Sequence, residues 1–575
     1  MSGSDGWTRR RFLGMVGQLG GAFAVHETMT AMGWLRMPEA WAGPPQLTAG
    51  SGIGTKVLVL GAGIGGLTAA YELTRGYDCI LLEAQERAGG RSLTARRGTR
   101  VVEQSDEHGT TTQTCRFDDG LYLNMGPGRL PYHHRRVLHY CHELGVPLEV
   151  YVMTTGANLY QGAQAFGGQA TLRRQLAADA QGYISELLAK QVCNGSLDKV
   201  LTPDERKELL DLLIHFGDLN AQGSACVEAD KSCADPASYA YCGSTRAGCA
   251  QLDIHTTCTA PPPVPLPELL SSEFWNDGFG AFYQPLEFEW QPTLFQPVGG
   301  MDQIVEGFKR QIGGLVAYRS QVEQIRLRDD GVTVDYVDLF SGERCRAEAD
   351  YCISNIPLPL LAKIRPRPNF SPDFRDAVDH ARFDPTCKVG WQADRRFWEN
   401  DRYQIYGGIS YVADTITQIW YPSNDYFTGK GTLTGAYNYE DSARKLGGML
   451  PADRLVLARA EAARVQPEFA DPGIVPEDKG LSIAWQNVPF QHGGWASWSA
   501  SSEADRKAYA RLLAPDGRFH VVGDQVSPLP GWQEGAMMSA EHVVEQIAGV
   551  RPITVPEIES APNTRRLVLG LRPES

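Results

Sequence analysis

Hydrophobic and polar positions fall into an ordered pattern from residue 56 onward. K-V-L-V-L at residues 56–60 has the continuous apolar character of a buried strand. G-A-G-I-G-G at 61–66 follows, and Leu67, Ala70 and Leu73 then recur on one face of a helix. D-C-I-L-L at 78–82, ending in Glu83, predicts a second strand. A strand, tight turn, helix and strand within about 30 residues form the opening unit of a dinucleotide-binding fold.

Further along, residues 171–216 read helical, with Thr202-Pro203-Asp204-Glu205 forming a capping box ahead of Leu209, Leu210, Leu212, Leu213 and Phe216. A Cys-rich polar excursion covers 217–260, and A-P-P-P-V-P-L-P at 260–267 predicts a stiff connector. Strand-like segments return at 332–339, 349–354 and 405–421. A last strand at 519–523 precedes a helix from about 534 to 547. The nucleotide fold is thus opened at 56–125 and closed near 550, with other material inserted between.

A chain of 575 residues exceeds one hydrophobic core. With 54 Lys+Arg against 68 Asp+Glu, its net charge of −14 would be repelled by phosphate polymers, which excludes nucleic acid as an expected partner. Arg9-Arg10-Arg11-Phe12-Leu13, a mildly apolar stretch to about Val25 and Ala40-Trp41-Ala42 resemble a twin-arginine export signal over residues 1–42. An amphipathic N-terminal helix with a cytoplasmic location is the alternative. The apolar stretch is shorter than the roughly 20 residues of a membrane span, so no stable span is expected. Of 12 cysteines, five lie at 226, 233, 242, 249 and 258, without the C-x2–4-C pairs of a zinc site. In an oxidising compartment they read as disulfides, and the odd fifth cysteine needs a partner elsewhere.

The turn at 61–66 is G-x-G-x-x-G. Gly61 permits the tight turn, Gly63 admits a pyrophosphate to the backbone, and Gly66 lets helix and sheet pack closely. The helix N-terminus offers N–H groups and a positive dipole end to that anion. Glu83, 20 residues beyond Gly63, ends the second strand where a carboxylate accepts ribose hydroxyls.

Glu83-Ala84-Gln85-Glu86-Arg87-Ala88-Gly89-Gly90-Arg91 resembles the E-A-x-x-R-x-G-G-R segment of flavin-dependent amine oxidases. Pro297-Val298-Gly299-Gly300-Met301, Gln321-Val322, Cys387-Lys388-Val389, Gly523-Asp524 and Gly531-Trp532-Gln533-Glu534-Gly535-Ala536 resemble further segments of that family, although many relatives carry Glu at the position of Asp524. The resemblance runs from about 56 to 550 and is greatest to L-amino acid oxidases. It implies an α/β fold: an FAD-binding Rossmann-type βαβ domain with an inserted mixed-sheet substrate domain and a helical domain. The FAD-binding parts would be 55–130, 296–365 and 511–550, the helical region 131–295, the substrate-binding domain 366–510 and a tail 551–575. It further implies cofactor contacts at Gly61, Ala62, Gly63, Gly65, Gly66, Glu83, Ala84, Arg87, Gly89, Gly90, Arg91, Gly126, Pro127, Gly128, Arg129, Val322, Gly523, Asp524, Trp532 and Ala536, with Arg91 neutralising the pyrophosphate.

A second nucleotide fingerprint is absent from the sequence, so the expected reductant is the substrate and the expected oxidant is O2. The implied chemistry is hydride transfer from Cα to flavin N5, with no metal and no nucleophilic triad. By resemblance, Lys388 holds a water against N5, Trp532 flanks flavin and substrate, the Gly531 carbonyl meets the substrate ammonium, and Tyr421 reaches the carboxylate. Asn124-Met125-Gly126-Pro127-Gly128-Arg129-Leu130-Pro131 resembles the G-x-M-R-x-P segment of L-amino acid oxidases, with Gly128 in place of Met. A guanidinium there would grip a substrate carboxylate with two bonds. The expected activity is oxidative deamination of L-amino acids to 2-oxo acids, ammonia and H2O2, by a homo-oligomer, in the simplest case a dimer. An amino acid 2-monooxygenase and a non-catalytic flavin-binding interaction protein are the alternatives.

Overall fold

The computed structural model describes residues 41–48, 50, 52–220, 226, 232–275 and 280–556. The export-signal reading therefore lies almost wholly outside the described residues. From Pro45 onward the chain forms a single compact unit.

Its first layer is a parallel sheet in the order Val316–Ala317, Asp78–Leu82, Lys56–Leu60, Tyr351–Ser354 and Phe519–Val521. The register Lys56↔Asp78 to Leu60↔Leu82, with the helix Ile64–Leu73 between, is the anticipated β-turn-α-β unit. Both faces of this sheet are covered, which explains its unbroken apolar strands. Val57, Val59 and Leu81 pack with the helices Ile64–Leu73, Gln303–Ile312 and Gln533–Ile547. Leu58, Leu60 and Leu82 face the other way, among residues of the antiparallel sheet 320–349 and the helices Pro372–His380 and Glu503–Leu512.

The second layer is a seven-stranded mixed sheet, in which Ile409–Val412, Gln418–Trp420, Gly431–Tyr439, Thr386–Ala393 and Gly480–Ala484 are neighbours in that order. Its alternation is sharp: Cys387, Val389, Ile419 and Tyr421 enter one core, while Trp420 and Ile409 enter the opposite one. Two expected spans divide. Residues 349–354 belong to two strands, Arg344–Ala349 and Tyr351–Ser354, because the chain leaves one sheet for the other at Asp350. Residues 405–421 form a pair of short antiparallel strands.

The helical region 171–216 comprises a short strand, Thr171–Leu172, and two helices, Arg173–Cys193 and Pro203–Gly217. The capping box is present: the Thr202 side chain accepts from the Glu205 backbone N–H, and Glu205 accepts from the Thr202 N–H at 2.8 Å. The Cys-rich excursion is tied by Cys193–Cys233, Cys226–Cys242 and Cys249–Cys258, so the partner of the odd fifth cysteine is the last residue of the helix Arg173–Cys193. The remaining six cysteines are thiols.

One buried ion pair joins the hairpin Arg100–Ser105/Gly109–Thr114 to the second layer. Arg454, on the helix Pro451–Val465, meets Glu103 with two charged bonds of 2.8 and 2.6 Å, and both side chains are almost fully buried. Glu103 also accepts from the Ala484 N–H at 3.1 Å, so its charge is well supplied with donors. Removing one member of such a pair leaves an uncompensated buried charge. Arg454→Met should therefore destabilise the protein by about 3–5 kcal/mol, and Glu103→Gln added to it should recover part of that loss. An unchanged midpoint of chemical unfolding in Arg454→Met would overturn this role.

Candidate active site

The turn between the first strand and helix brings backbone against backbone. A Cβ on Gly66 would lie 2.1 Å from the Gly61 carbonyl oxygen, so only glycine permits this helix to start so close to the strand. The helix Ile64–Leu73 begins at Gly63 with neither a side-chain cap nor an acid in its first turn. Its N–H groups and positive end remain free for an external anion.

Glu83 stands beside this turn and accepts from the Ala62 N–H and the Gln85 N–H, each at 2.8 Å. Burial pushes its carboxyl above the ordinary value, while those two bonds, the nearby Arg87 and the Ala84 backbone pull it down. Arg87 donates to the Gly90 carbonyl at 2.6 Å and braces the Gly89-Gly90 turn. Arg91 forms a two-pronged pair with Asp524 and also donates to the Gly494 carbonyl. Its charge is thus already matched inside the protein, which leaves the helix N-terminus, rather than Arg91 alone, to receive a phosphate. Asp524 in turn accepts from the Gly531 N–H at 2.8 Å.

These segments wall a cavity of about 1080 Å³. Gly61, Gly63, Gly65, Glu83, Ala84, Gly89, Gly90, Arg91, Gly126, Pro127, Val322, Asp524, Gly531, Trp532 and Ala536 line it. Ala62, Gly66, Arg87, Gly128, Arg129, Lys388, Tyr421 and Gly523 do not. Gly66 and Arg87 support the wall from behind. Gly126 is needed because a Cβ there would lie 1.8 Å from the Arg91 carbonyl oxygen, whereas a Cβ on Gly128 meets nothing within 4 Å. No protein atom therefore restricts position 128 to glycine. A cavity of this size with a glycine turn and helix N-terminus at one region and a strand-end carboxylate beside it fits a dinucleotide. Tyr437, Trp485, Trp495 and Trp532 also line it, offering surfaces for a flat ring.

Beyond Trp532 lies a cationic, aromatic centre. The Arg129 guanidinium carbon sits 3.9 Å from the ring centroid of Trp290, 4.7 Å from Trp532 and 5.4 Å from Trp420. It forms no ion pair with a carboxylate among the described residues, and its Nε has no hydrogen-bond partner. Burial pushes it below its ordinary value, against the influence of Tyr151, Tyr439, Tyr437 and Glu289. Lys388 donates to the Gly126 carbonyl at 2.5 Å and more weakly to the Asn124 carbonyl at 3.3 Å, and lies 4.3 Å from the Tyr437 centroid. Burial, reinforced by the charge of Arg129, brings its pKa down to about 7. The lysine is thereby tied to the segment that leads into Arg129.

Tyr421 is not brought to this centre. Its hydroxyl bonds Gln466 at 2.7 Å and Ser410 at 3.1 Å within the opposite core, because strand alternation turns Trp420, and not Tyr421, toward Arg129. Trp290 and Tyr151 join the centre without any signal in the sequence. They lie on segments far from Arg129 in the chain and meet it only through packing.

A family description, flavin containing amine oxidoreductase, matches residues 64–548. The flavin-dependent L-tryptophan oxidase RebO of Lentzea aerocolonigenes is 27% identical over 514 residues, covering 86% of this chain and 98% of that protein. An L-amino-acid oxidase of Vipera ammodytes ammodytes is 24% identical, covering 84% of this chain and 90% of the other. Among solved structures, a putrescine oxidase bound to putrescine superposes with a TM-score of 0.53 at 17% identity, covering 86% of this chain and 99% of that one. The fold, the cavity lined by the glycine turn and Glu83, and these matches together place the chain in the family of flavin-containing amine oxidoreductases, with FAD as its cofactor.

Proposed function

We propose that the protein is an L-amino acid oxidase that converts L-amino acids, O2 and water to 2-oxo acids, ammonia and H2O2. The observation that carries this reading is Arg129. A buried guanidinium without a carboxylate partner is costly, and the carboxylate of an amino acid would offset that cost with two charge-assisted bonds. A simple amine offers no such group. Two relatives named for oxidation of L-amino acids support the same reading.

Bound FAD supplies the acceptor for the two electrons leaving the substrate and passes them to O2. The chain's own part is placement. Arg129 holds the carboxylate, Trp532 forms a wall shared by the guanidinium and the cavity, and the Gly531 carbonyl meets the amino group. Lys388, with its pKa near 7, holds or releases a proton at Nζ close to neutrality. Export is proposed with this activity, since three disulfides suit an oxidising compartment.

Arg129→Met should raise KM for L-amino acids about a hundredfold, from about 3 kcal/mol of lost charge-assisted bonding, with FAD content unchanged. A normal KM in that variant would sink the anchor. Anaerobic bleaching of the flavin by L- but not D-amino acids, with a 2-oxo acid and not an amide as product, tests the reaction itself. Amide formation would point to the monooxygenase, and absence of bleaching to a binding protein.

Lys388 makes a separate prediction about stability. Between pH about 7 and its ordinary 10.5, the unfolded chain holds a proton that the folded chain lacks, so the cost this group imposes on the fold shrinks as pH rises. Below about 7 both states are protonated and the folded state bears the buried charge. Lys388→Met should therefore be most favourable at low pH. Its stability relative to wild type should fall by about 2–3 kcal/mol between about pH 6.5 and about pH 9. A pH-independent difference in unfolding free energy would show that Lys388 titrates normally.

A further inference from the structure

Four residues beyond Arg129, two adjacent imidazoles converge on one carboxylate oxygen. His133 Nε2 lies 3.0 Å and His134 Nε2 2.7 Å from Glu289 Oε2, and the three ligand-type atoms all lie within 4.8 Å of one another. Their surroundings hold this shape. His133 stacks on Phe288 with centroids 4.1 Å apart, and the almost fully buried His134 sets its ring edge on Trp532 at 4.9 Å. Glu289 sits in the short helical turn Phe288–Trp290, whose last residue stacks on Arg129.

We propose that His133, His134 and Glu289 form a binding site for a divalent transition-metal ion of the zinc class. Two imidazole nitrogens and one carboxylate oxygen are the ligand set such ions favour, whereas calcium and magnesium favour oxygen alone. Zinc bonds of about 2.0–2.2 Å in a tetrahedron place ligand atoms roughly 3.3 Å apart, a spacing bracketed by the two imidazole–carboxylate distances of 3.0 and 2.7 Å and the 4.8 Å within which all three atoms lie. The Nδ1 of His133 is buried without a hydrogen-bond partner, so in the absence of an ion the Glu289 carboxylate holds the ring proton at Nε2. Moving it to Nδ1 sets the Nε2 lone pair against the carboxylate oxygen, an arrangement that a cation held between the two relieves. His133 and Glu289 are partly exposed, at 19% and 22% of their side-chain surface, which gives an ion a route in. The carboxylate also offsets repulsion between the dication and the Arg129 guanidinium.

A bound ion would bridge the segment carrying Arg129 to the turn carrying Trp290 and press on Trp532 through His134, so the site adjoins the substrate centre without sharing a ligand with it. The proposal does not rest on the identity of the substrate, because binding can be measured without one.

The test is titration of zinc chloride into the metal-stripped, FAD-loaded full chain, followed by metal analysis of the gel-filtered protein. Cobalt(II) substitution would report geometry by its visible ligand-field bands. One equivalent of zinc and a tetrahedral cobalt spectrum are expected. Glu289→Gln and the double variant His133→Ala/His134→Ala should each weaken zinc at least about tenfold, since even outer partners of metal ligands matter that much. Flavin absorbance and the unfolding midpoint show whether a variant is folded. If Glu289→Gln does not fold, His133→Asn at the exposed edge carries the same comparison. A wild-type chain that retains no zinc, or folded variants that bind it as wild type does, would overturn the site.

Discussion

The cofactor half of this molecule depends on the junction at Glu83. Its carboxylate accepts the Ala62 and Gln85 N–H groups, its own N–H donates to the Ala317 carbonyl, and its carbonyl accepts the Ser320 N–H. One residue thus joins the glycine turn, the second parallel strand, the edge strand Val316–Ala317 and the strand Ser320–Arg328. The first two of these segments lie more than two hundred residues from the last two. Buried away from water, the carboxylate keeps its place because those donors are aimed at it. The cavity owes the relative placement of its walls at 61–65, 83–84 and 320–324 to this junction.

The region around Arg129 is organised by the opposite circumstance, a buried charge short of a partner. Arg129 and Lys388 approach the centre from two layers, one on the loop after Gly126 and one on the strand Thr386–Ala393. Lysine finds backbone carbonyls and a lowered pKa, while arginine finds aromatic faces. Indole rings stabilise a cation through their π-faces but do not satisfy its N–H donors. An anionic substrate group would do both, which is why the guanidinium is more informative here than the cavity's size. The His133–His134–Glu289 cluster sits directly behind this centre, and the two share the segments on either side of Trp532.

Local sequence was a reliable guide wherever a feature is closed within a few residues. The β-turn-α-β unit, the Thr202 capping box and the strand-helix pair at 519–547 depend on neighbouring positions and appear as anticipated. Errors arose where two elements read as one. Residues 171–216 hold two helices, the second opened by the Thr202 capping box, and 349–354 passes from one sheet to another at the charged Asp350. Strand parity misled in another way. Tyr421 is a plausible substrate contact by motif, yet the alternation of side chains along the sheet sends it into the far core and presents Trp420 instead.

The sequence by itself determined the nucleotide-binding opening, because glycine spacing and a strand-end acid act over a single supersecondary unit. Through its family resemblance it also marked Arg129 and Lys388 as site residues. Only the tertiary structure decided what surrounds them. Trp290, Tyr151 and Glu289 reach Arg129 from distant segments, Asp524 crosses to Arg91, and Cys193 closes the disulfide count from the preceding helix. Such contacts follow from how sheets and loops stack in three dimensions, and no local pattern of residues encodes them.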